Sequence, residues 1–248
     1  MHAIMLAAGR GMRLSGGSGR LPPKSLLQFG GKSLLRRHIE ALREAGIDKL
    51  TMVLGYRADD IRAELAAIGA DGSIGTIFNP RYREGAVVSL WMGRQVLRGG
   101  ADVLLMDADV LYDPSLLRRL TGSPYRNCLL IDRDLEPGEE PVKICLRGGR
   151  IVDFGKIVEG NFEVVGEWPG FLRLGPEMAD KLAAAAEAYV FSGRHEEPYE
   201  PAIRDVLLGE PADRFGCEDI TGLAWIEIDT PEDLRRAREV IAPALCDG

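Results

Sequence analysis

Cysteine is scarce in this chain, and what there is lies scattered. Cys128, Cys145, Cys217 and Cys246 form no Cys-x-x-Cys pair, which argues against a zinc ribbon and a thioredoxin-type redox site. Dispersed thiols suit a reducing compartment, and the reading is a cytoplasmic protein. Long hydrophobic runs are also missing: none approaches the roughly 20 residues of a membrane span. The opening apolar run, His2 to Ala8, is too short and wrongly flanked for a secretory signal. Excess positive charge is lacking too. A net charge of -7 over 248 residues argues against a general nucleic-acid-binding surface. Internal repeats and low-complexity linkers are absent. The length allows one large α/β domain or two small ones.

What is present is an alternation of apolar runs and amphipathic segments. "HAIMLAA" is continuously apolar, as a parallel strand covered on both faces must be. "KSLLRRHIEALREAG" places Leu34, Leu35, Ile39 and Leu42 at helical spacing, and Gly46 ends it. "KLTMVLGY" and "SIGTIFNP" read as strands around a helix, "ADDIRAELAAIG". A helix over "AVVSLWMGRQVL" and a strand opening "ADVLLMDADVLY" follow. This order predicts βαβ units with right-handed crossovers and a parallel sheet.

The pattern then changes. "NCLLIDRD", "VKICLRGGRIVDFGK" and "EVVGEWPGFLRLG" read as strands with short turns, including a Gly148-Gly149 hairpin. Helices over "PEMADKLAAAAEAYVFSG" and "PYEPAIRDVLLG" come next. "GLAWIEID" is a late strand, and Thr230 caps a closing helix with Pro231 at its first position. One α/β unit carrying a strand-rich insertion is expected.

The stretch "LAAGRGMRLSGGSGRLPPKSLL" is dense in glycine and cations. It is not a Walker loop, since position 26, five before Gly31, is leucine. It is not a dinucleotide fingerprint, since Leu14 stands where the third glycine belongs. Its glycines still allow backbone N–H groups close to an anion. Arg13 and Lys24 add charge suited to a triphosphate. An ordinary solvated basic loop is the competing reading.

Two acidic clusters follow strands. Asp107 and Asp109 stand after the buried run Val103 to Met106. Glu227 and Asp229 alternate with Ile226 and Ile228, and so share one strand face. Carboxylates at strand ends suit a hard cation such as Mg²⁺, which lets an anionic nucleophile approach a phosphate.

The opening stretch closely resembles the L-A-A-G-x-G-x-R-(M/L)…P-K signature of the sugar-nucleotide-type nucleotidyltransferases. "WIEIDTPEDL" resembles that family's closing element, and "MDADV" its metal-binding aspartate. The resemblance implies a Rossmann-like mixed, mainly parallel sheet flanked by helices, with a small strand-rich acceptor subregion. It implies a single domain over 1–248: a nucleotide-binding half, 1–125, then an acceptor half with the closing metal-site strand, 126–248. By resemblance, Arg13 and Lys24 bind phosphates, and Leu6, Ala7, Ala8, Gly9, Arg10 and Gly11 line the nucleotide. Asp109 and Asp229 hold the metal, with Glu227 beside them, and Asp107 either backs the metal ligands or lies on the ribose side. Lys156, in "VDFGKIVEG", reaches the phosphates or the acceptor. Gly85 and Ser89, in "NPRYREGAVVSLWMG", make room for the base, while Trp91 is read as core. Ser15 to Leu21 would form a lid, with Arg10 and Arg20 as further candidates.

For the acceptor side, "GEWPGFLRLG" and "HEEPYEPAIRDVL" resemble segments of phosphocholine, 2-aminoethylphosphonate and inositol-phosphate cytidylyltransferases. Glu167, Trp168, Tyr199 and Glu200 would then cage an ammonium group. A solvated acidic turn beside a packed tryptophan is the alternative. The chain shows no hexapeptide-repeat β-helix and no membrane domain, so a stand-alone catalytic unit is expected, monomeric or a homodimer. The implied reaction joins CTP to a small phosphorylated or phosphonylated alcohol or amine. A sugar-1-phosphate nucleotidyltransferase using UTP, GTP or dTTP and a silent nucleotide-binding regulator are the rivals.

Overall fold

The computed structural model describes residues 1–17, 21–135 and 141–245. Arg20, part of the expected lid, and Cys246 lie outside the described residues. In chain order the first strands are β1 (His2–Ala7), β2 (Gln28–Phe29) and β3 (Lys32–Ser33), followed by α1 (Leu34–Glu44). Next come β4 (Lys49–Leu54), α2 (Ala58–Ala67), β5 (Ile74–Phe78), α3 (Ala86–Met92) and α4 (Arg94–Leu97). The central stretch is β6 (Val103–Asp107), β7 (Val110–Tyr112), α5 (Ser115–Gly122) and β8 (Cys128–Ile131). Then follow β9 (Lys143–Arg147), β10 (Arg150–Gly155), β11 (Val164–Glu167) and β12 (Phe171–Leu174). The chain closes with α6 (Pro176–Phe191), α7 (Glu200–Gly209), β13 (Gly216–Asp219), β14 (Trp225–Glu227) and α8 (Pro231–Arg236).

Seven strands form one sheet in the order β13-β8-β12-β6-β1-β4-β5. β12 runs antiparallel to both its neighbours, and the other pairs are parallel. This is a mixed, mainly parallel α/β sheet. β1 lies between β6 and β4, and its apolar run is covered on both faces. One face packs on α3, α6 and α7, the other on α1, α2 and α5. The Ser33 hydroxyl caps α1 by accepting from the Arg36 N–H at 3.1 Å.

Three details depart from expectation. The strand-rich insertion is smaller than the sequence pattern indicates: only β9, β10 and β11 form a separate sheet, while β8 and β12 join the main one. α5 and β13 were not foreseen, and Gly93 divides the helix expected over 86–97. The strand carrying Glu227 also stops there, leaving Asp229 in the turn beyond it.

A third apolar cluster lies beneath the closing ribbon. It gathers Leu14 of the opening loop, Leu27, Phe29 and Leu34, Leu111 of β7, and Ile226 and Ile228. Burying an isoleucine contributes roughly 1.5–3 kcal/mol. The two isoleucines thus anchor the segment, and the acids alternating with them turn outward.

Candidate active site

The first wall of the site is the exit of β1. A cleft of about 350 Å³, open to solvent, is lined by Leu6, Ala7, Gly9, Gly11, Pro23, Lys24, Ser25, Ala108 and Asp109. Ala8 is buried alongside, its carbonyl accepting from the Tyr56 N–H at 3.1 Å. Arg10 is exposed in the same turn and does not line the cleft. Ser25 was not anticipated. Its hydroxyl is buried without a hydrogen-bond partner among the described residues, and it faces this cleft. Its only sequence signal is its place directly after Pro23-Lys24.

The second wall is a ribbon. β14 pairs antiparallel with β7, setting Glu227 opposite Val110, and the Ile228 N–H donates to the Asp109 carbonyl at 3.0 Å. The acids therefore meet on a two-stranded ribbon, not within the main sheet. Asp109, Glu227 and Asp229 each offer an oxygen, all within 4.8 Å of one another. Asp233 steadies Asp229. Its carboxylate accepts from the N–H groups of Asp229 at 3.0 Å and Thr230 at 2.7 Å, and the Thr230 hydroxyl accepts from the Asp233 N–H at 3.2 Å. The T-x-x-D spacing carries this capping box.

Cations face these carboxylates. Lys24 Nζ donates to Asp109 at 2.8 Å and Asp229 at 2.5 Å, and Arg13 donates to Asp229 at 2.6 Å. Burial alone would lower the Lys24 pKa, but the two carboxylates outweigh it and raise it. Burial would likewise raise Asp229, yet Lys24 and Arg13 hold it below the ordinary carboxylate range. Glu227 keeps a solvent-exposed surface but sits amid protein and negative charge. Desolvation, then the charges of Asp109, Asp229 and Asp107, push its carboxyl well up.

Asp107 lies one layer deeper. The Tyr199 hydroxyl donates to it at 2.6 Å, and its own N–H donates to the Gly170 carbonyl at 3.2 Å. Burial first, and the charge of Asp109 second, raise its pKa. Gly170 has φ +88°, and a Cβ there would lie 2.6 Å from the Asp107 carboxylate. Only glycine fits.

Three residues expected in the site are packed within the protein. Trp168 is 3% exposed, donates its indole N–H to the Phe171 carbonyl at 2.8 Å, and meets Phe154 and Tyr199 edge-on. It is core, and its face is closed to an ammonium group. Ser89 is buried and accepts from the Asn79 amide at 3.0 Å, which ties its hydroxyl to the protein's own interior. Gly85 is small for another reason: a Cβ would lie 2.0 Å from the Glu197 carbonyl oxygen, so the chain itself fills that space.

The remaining acceptor candidates divide. Tyr199 is buried, with its ring in the core and its hydroxyl on Asp107. Glu167 is half-buried at the end of β11, its backbone exchanging hydrogen bonds with Asp132. Glu200 opens α7, and its Oε2 is buried without a hydrogen-bond partner among the described residues. Its pKa is raised, chiefly by burial; the charge of Lys156 opposes the shift and that of Asp229 adds to it. Lys156 is exposed just past β10, its carbonyl accepting from Lys143 Nζ at 2.8 Å. Elsewhere, Glu84, His195 and Glu196 also converge, but Arg81 forks onto Glu84 at 2.6 and 2.9 Å and occupies it.

The central strand of the mixed sheet thus opens onto a lysine–carboxylate centre. Residues 3–147 match the family model of the MobA-like NTP transferase domain, and the chain belongs to that family. Over 96% of its length it is 27% identical to a CMP-5'-(3-aminopropyl)phosphonate synthase of Streptomyces rubellomurinus, covering 38% of that protein. It is 26% identical over 97% of its length to the choline-phosphate cytidylyltransferase of Streptococcus pneumoniae, covering 98% of that protein. The fold matches the inositol-1-phosphate CTP transferase of T. maritima with a TM-score of 0.77, at 21% identity over 99% of this chain and 94% of that one. The chain spans about half the length, or less, of several curated relatives it matches. The Streptococcus pneumoniae relative is a cytidylyltransferase by name, and the T. maritima protein a CTP transferase. No helix among the described residues is long and apolar enough to cross a membrane.

Proposed function

We propose that this protein is a Mg²⁺-dependent cytidylyltransferase. It joins CTP to a small phosphorylated or phosphonylated alcohol or amine and releases pyrophosphate. The observation that carries this reading is the convergence of Asp109, Glu227, Asp229, Lys24 and Arg13 at the open end of β1. The names of the relatives, a CMP-phosphonate synthase and a choline-phosphate cytidylyltransferase, favour CTP and such an acceptor.

Three clustered carboxylate oxygens suit a hard, oxygen-seeking cation. Mg²⁺ held by Asp109, Glu227 and Asp229 would supply charge neutralisation at the α-phosphate. Lys24 and Arg13 exchange carboxylate partners for triphosphate oxygens and stabilise the departing pyrophosphate. An acceptor oxygen forms the new bond to the α-phosphorus as the bond to the pyrophosphate oxygen breaks. Lys156 meets the acceptor's phosphate, and the Glu200 oxygen accepts from a donor group on the same molecule. Ser25 offers its hydroxyl to the nucleotide. Catalysis is then mainly positioning and electrostatics.

The test is a pyrophosphate-release assay. CTP, UTP, GTP and ATP are each paired with phosphocholine, 2-aminoethylphosphonate, inositol 1-phosphate and glucose 1-phosphate, with and without Mg²⁺. Turnover is expected with CTP and one of the first three, only with Mg²⁺. Asp109→Asn should lower kcat by about 10²–10³-fold or more. Silence with every pair sinks the enzyme reading, and preference for UTP or GTP sinks the cytidylyl assignment.

A further inference from the structure

One buried polar side chain stands out on the face of α1 that packs against the sheet. His38 is 1% exposed, among Leu34, Leu35, Ile39 and Leu42. Its Nε2 lies 3.3 Å from the Ala108 carbonyl oxygen, and its Nδ1 lies 3.2 Å from the Tyr112 hydroxyl. The chemistry of these partners fixes the tautomer. A carbonyl can only accept, so Nε2 carries the proton. In a neutral ring Nδ1 then accepts, and the Tyr112 hydroxyl donates. Burial pushes the ring's pKa down to about 4, so it stays neutral near pH 7.

The two partners bracket Asp109. Ala108 precedes it and Tyr112 follows three residues later, opposite Trp225 of the strand that ends in Glu227. The imidazole thus spans both ends of the turn presenting the carboxylate. It does not line the cleft at the end of β1. We propose that His38 is a positioning residue, an imidazole clamp whose Nε2–H holds the Ala108 carbonyl and so aims Asp109 at the metal. The proposal rests on the reading of Asp109 as a metal ligand. Outer partners that orient ligands typically govern affinity by about 10–100-fold.

Two substitutions separate this role from simple packing. A glutamine amide N–H reaches the place of Nε2–H, whereas an asparagine amide stops at the place of Nδ1. CTP affinity is measured by calorimetry with Mg²⁺ and with EDTA, and melting curves check that each variant folds. Wild type should bind CTP more tightly with Mg²⁺. His38→Gln should keep that gain, and His38→Asn should lose about 10–100-fold of it while its affinity in EDTA stays the same. A wild type that ignores Mg²⁺ overturns the metal reading, and the clamp with it. A wild type that responds, beside an asparagine variant that responds equally, overturns the clamp alone. A second measurement needs no variant: long-range ¹H–¹⁵N spectra of wild type at neutral pH should show His38 as the neutral Nε2–H tautomer. An Nδ1–H form overturns the proposal.

Discussion

Opposite pKa shifts within a few ångströms make Glu227 and Asp229 respond differently to pH. Glu227 is raised, so between the ordinary carboxylate range and its own higher value the folded chain holds a proton the unfolded chain has released. Stability therefore falls as pH rises through that window. Asp107 and Glu200, also raised, act in the same sense. Asp229 is lowered, so its contribution is present above its unfolded pKa near 4 and disappears as pH falls through its folded value. In EDTA at pH 8, Glu227→Gln should raise the melting temperature. Asp229→Asn should cost about 1–2 kcal/mol, since it takes one charged partner from each of Lys24 and Arg13 at a partly solvated site. Urea titration across pH 4–9 measures both signs. Trp168 yields a second residue-scale expectation. As core, Trp168→Ala should cost about 3–5 kcal/mol. A variant that keeps its stability and loses only acceptor affinity would restore the cage reading.

At the scale of elements, the active centre depends on how β14 ends. Thr230→Ala removes the hydroxyl that caps α8 and loosens the backbone beside Asp229. It should lower stability by about 1 kcal/mol, a drop of roughly 2–4 °C by calorimetry for a chain of this size. This ribbon was partly legible in the sequence. The alternation of Ile226 and Ile228 with Glu227 and Asp229 gave the buried face and the open one. The partner strand was not legible, because β7 is three residues long and adds no period of its own. β13, "GCED", was hidden for a similar reason: its strand state comes from parallel pairing with β8, a tertiary effect. α5 had a readable start, since the Asp113 carboxylate accepts from the Ser115 N–H at 2.7 Å. Trp168 marks a different limit. A caging tryptophan and a core tryptophan look alike in sequence, and the partner Phe171 carbonyl decides between them.

For the whole molecule, the sheet order binds the two halves of the chain. β6 pairs with β1 on one edge and with β12 on the other. A fragment of residues 1–125 would expose the β6 edge and the apolar faces of Val103, Leu105 and Met106. It should be insoluble or lack a cooperative melt, whereas the full chain should unfold in one transition by both fluorescence and far-UV circular dichroism. Separate folding of that fragment would contradict the shared sheet.

The lateness of the ribbon has a consequence for synthesis. All seven strands of the main sheet are complete once Asp219 has emerged, yet Glu227 and Asp229 follow it. A ribosome that stalls between these points leaves a polypeptide able to assemble its sheet but holding only one of the three clustered acids. Such a product would have Leu6, Gly11 and Lys24 at the cleft but lack Glu227 and Asp229 beside Asp109. On the proposed function, the three clustered acids come together only when the last strand is complete, after the main sheet has all its strands.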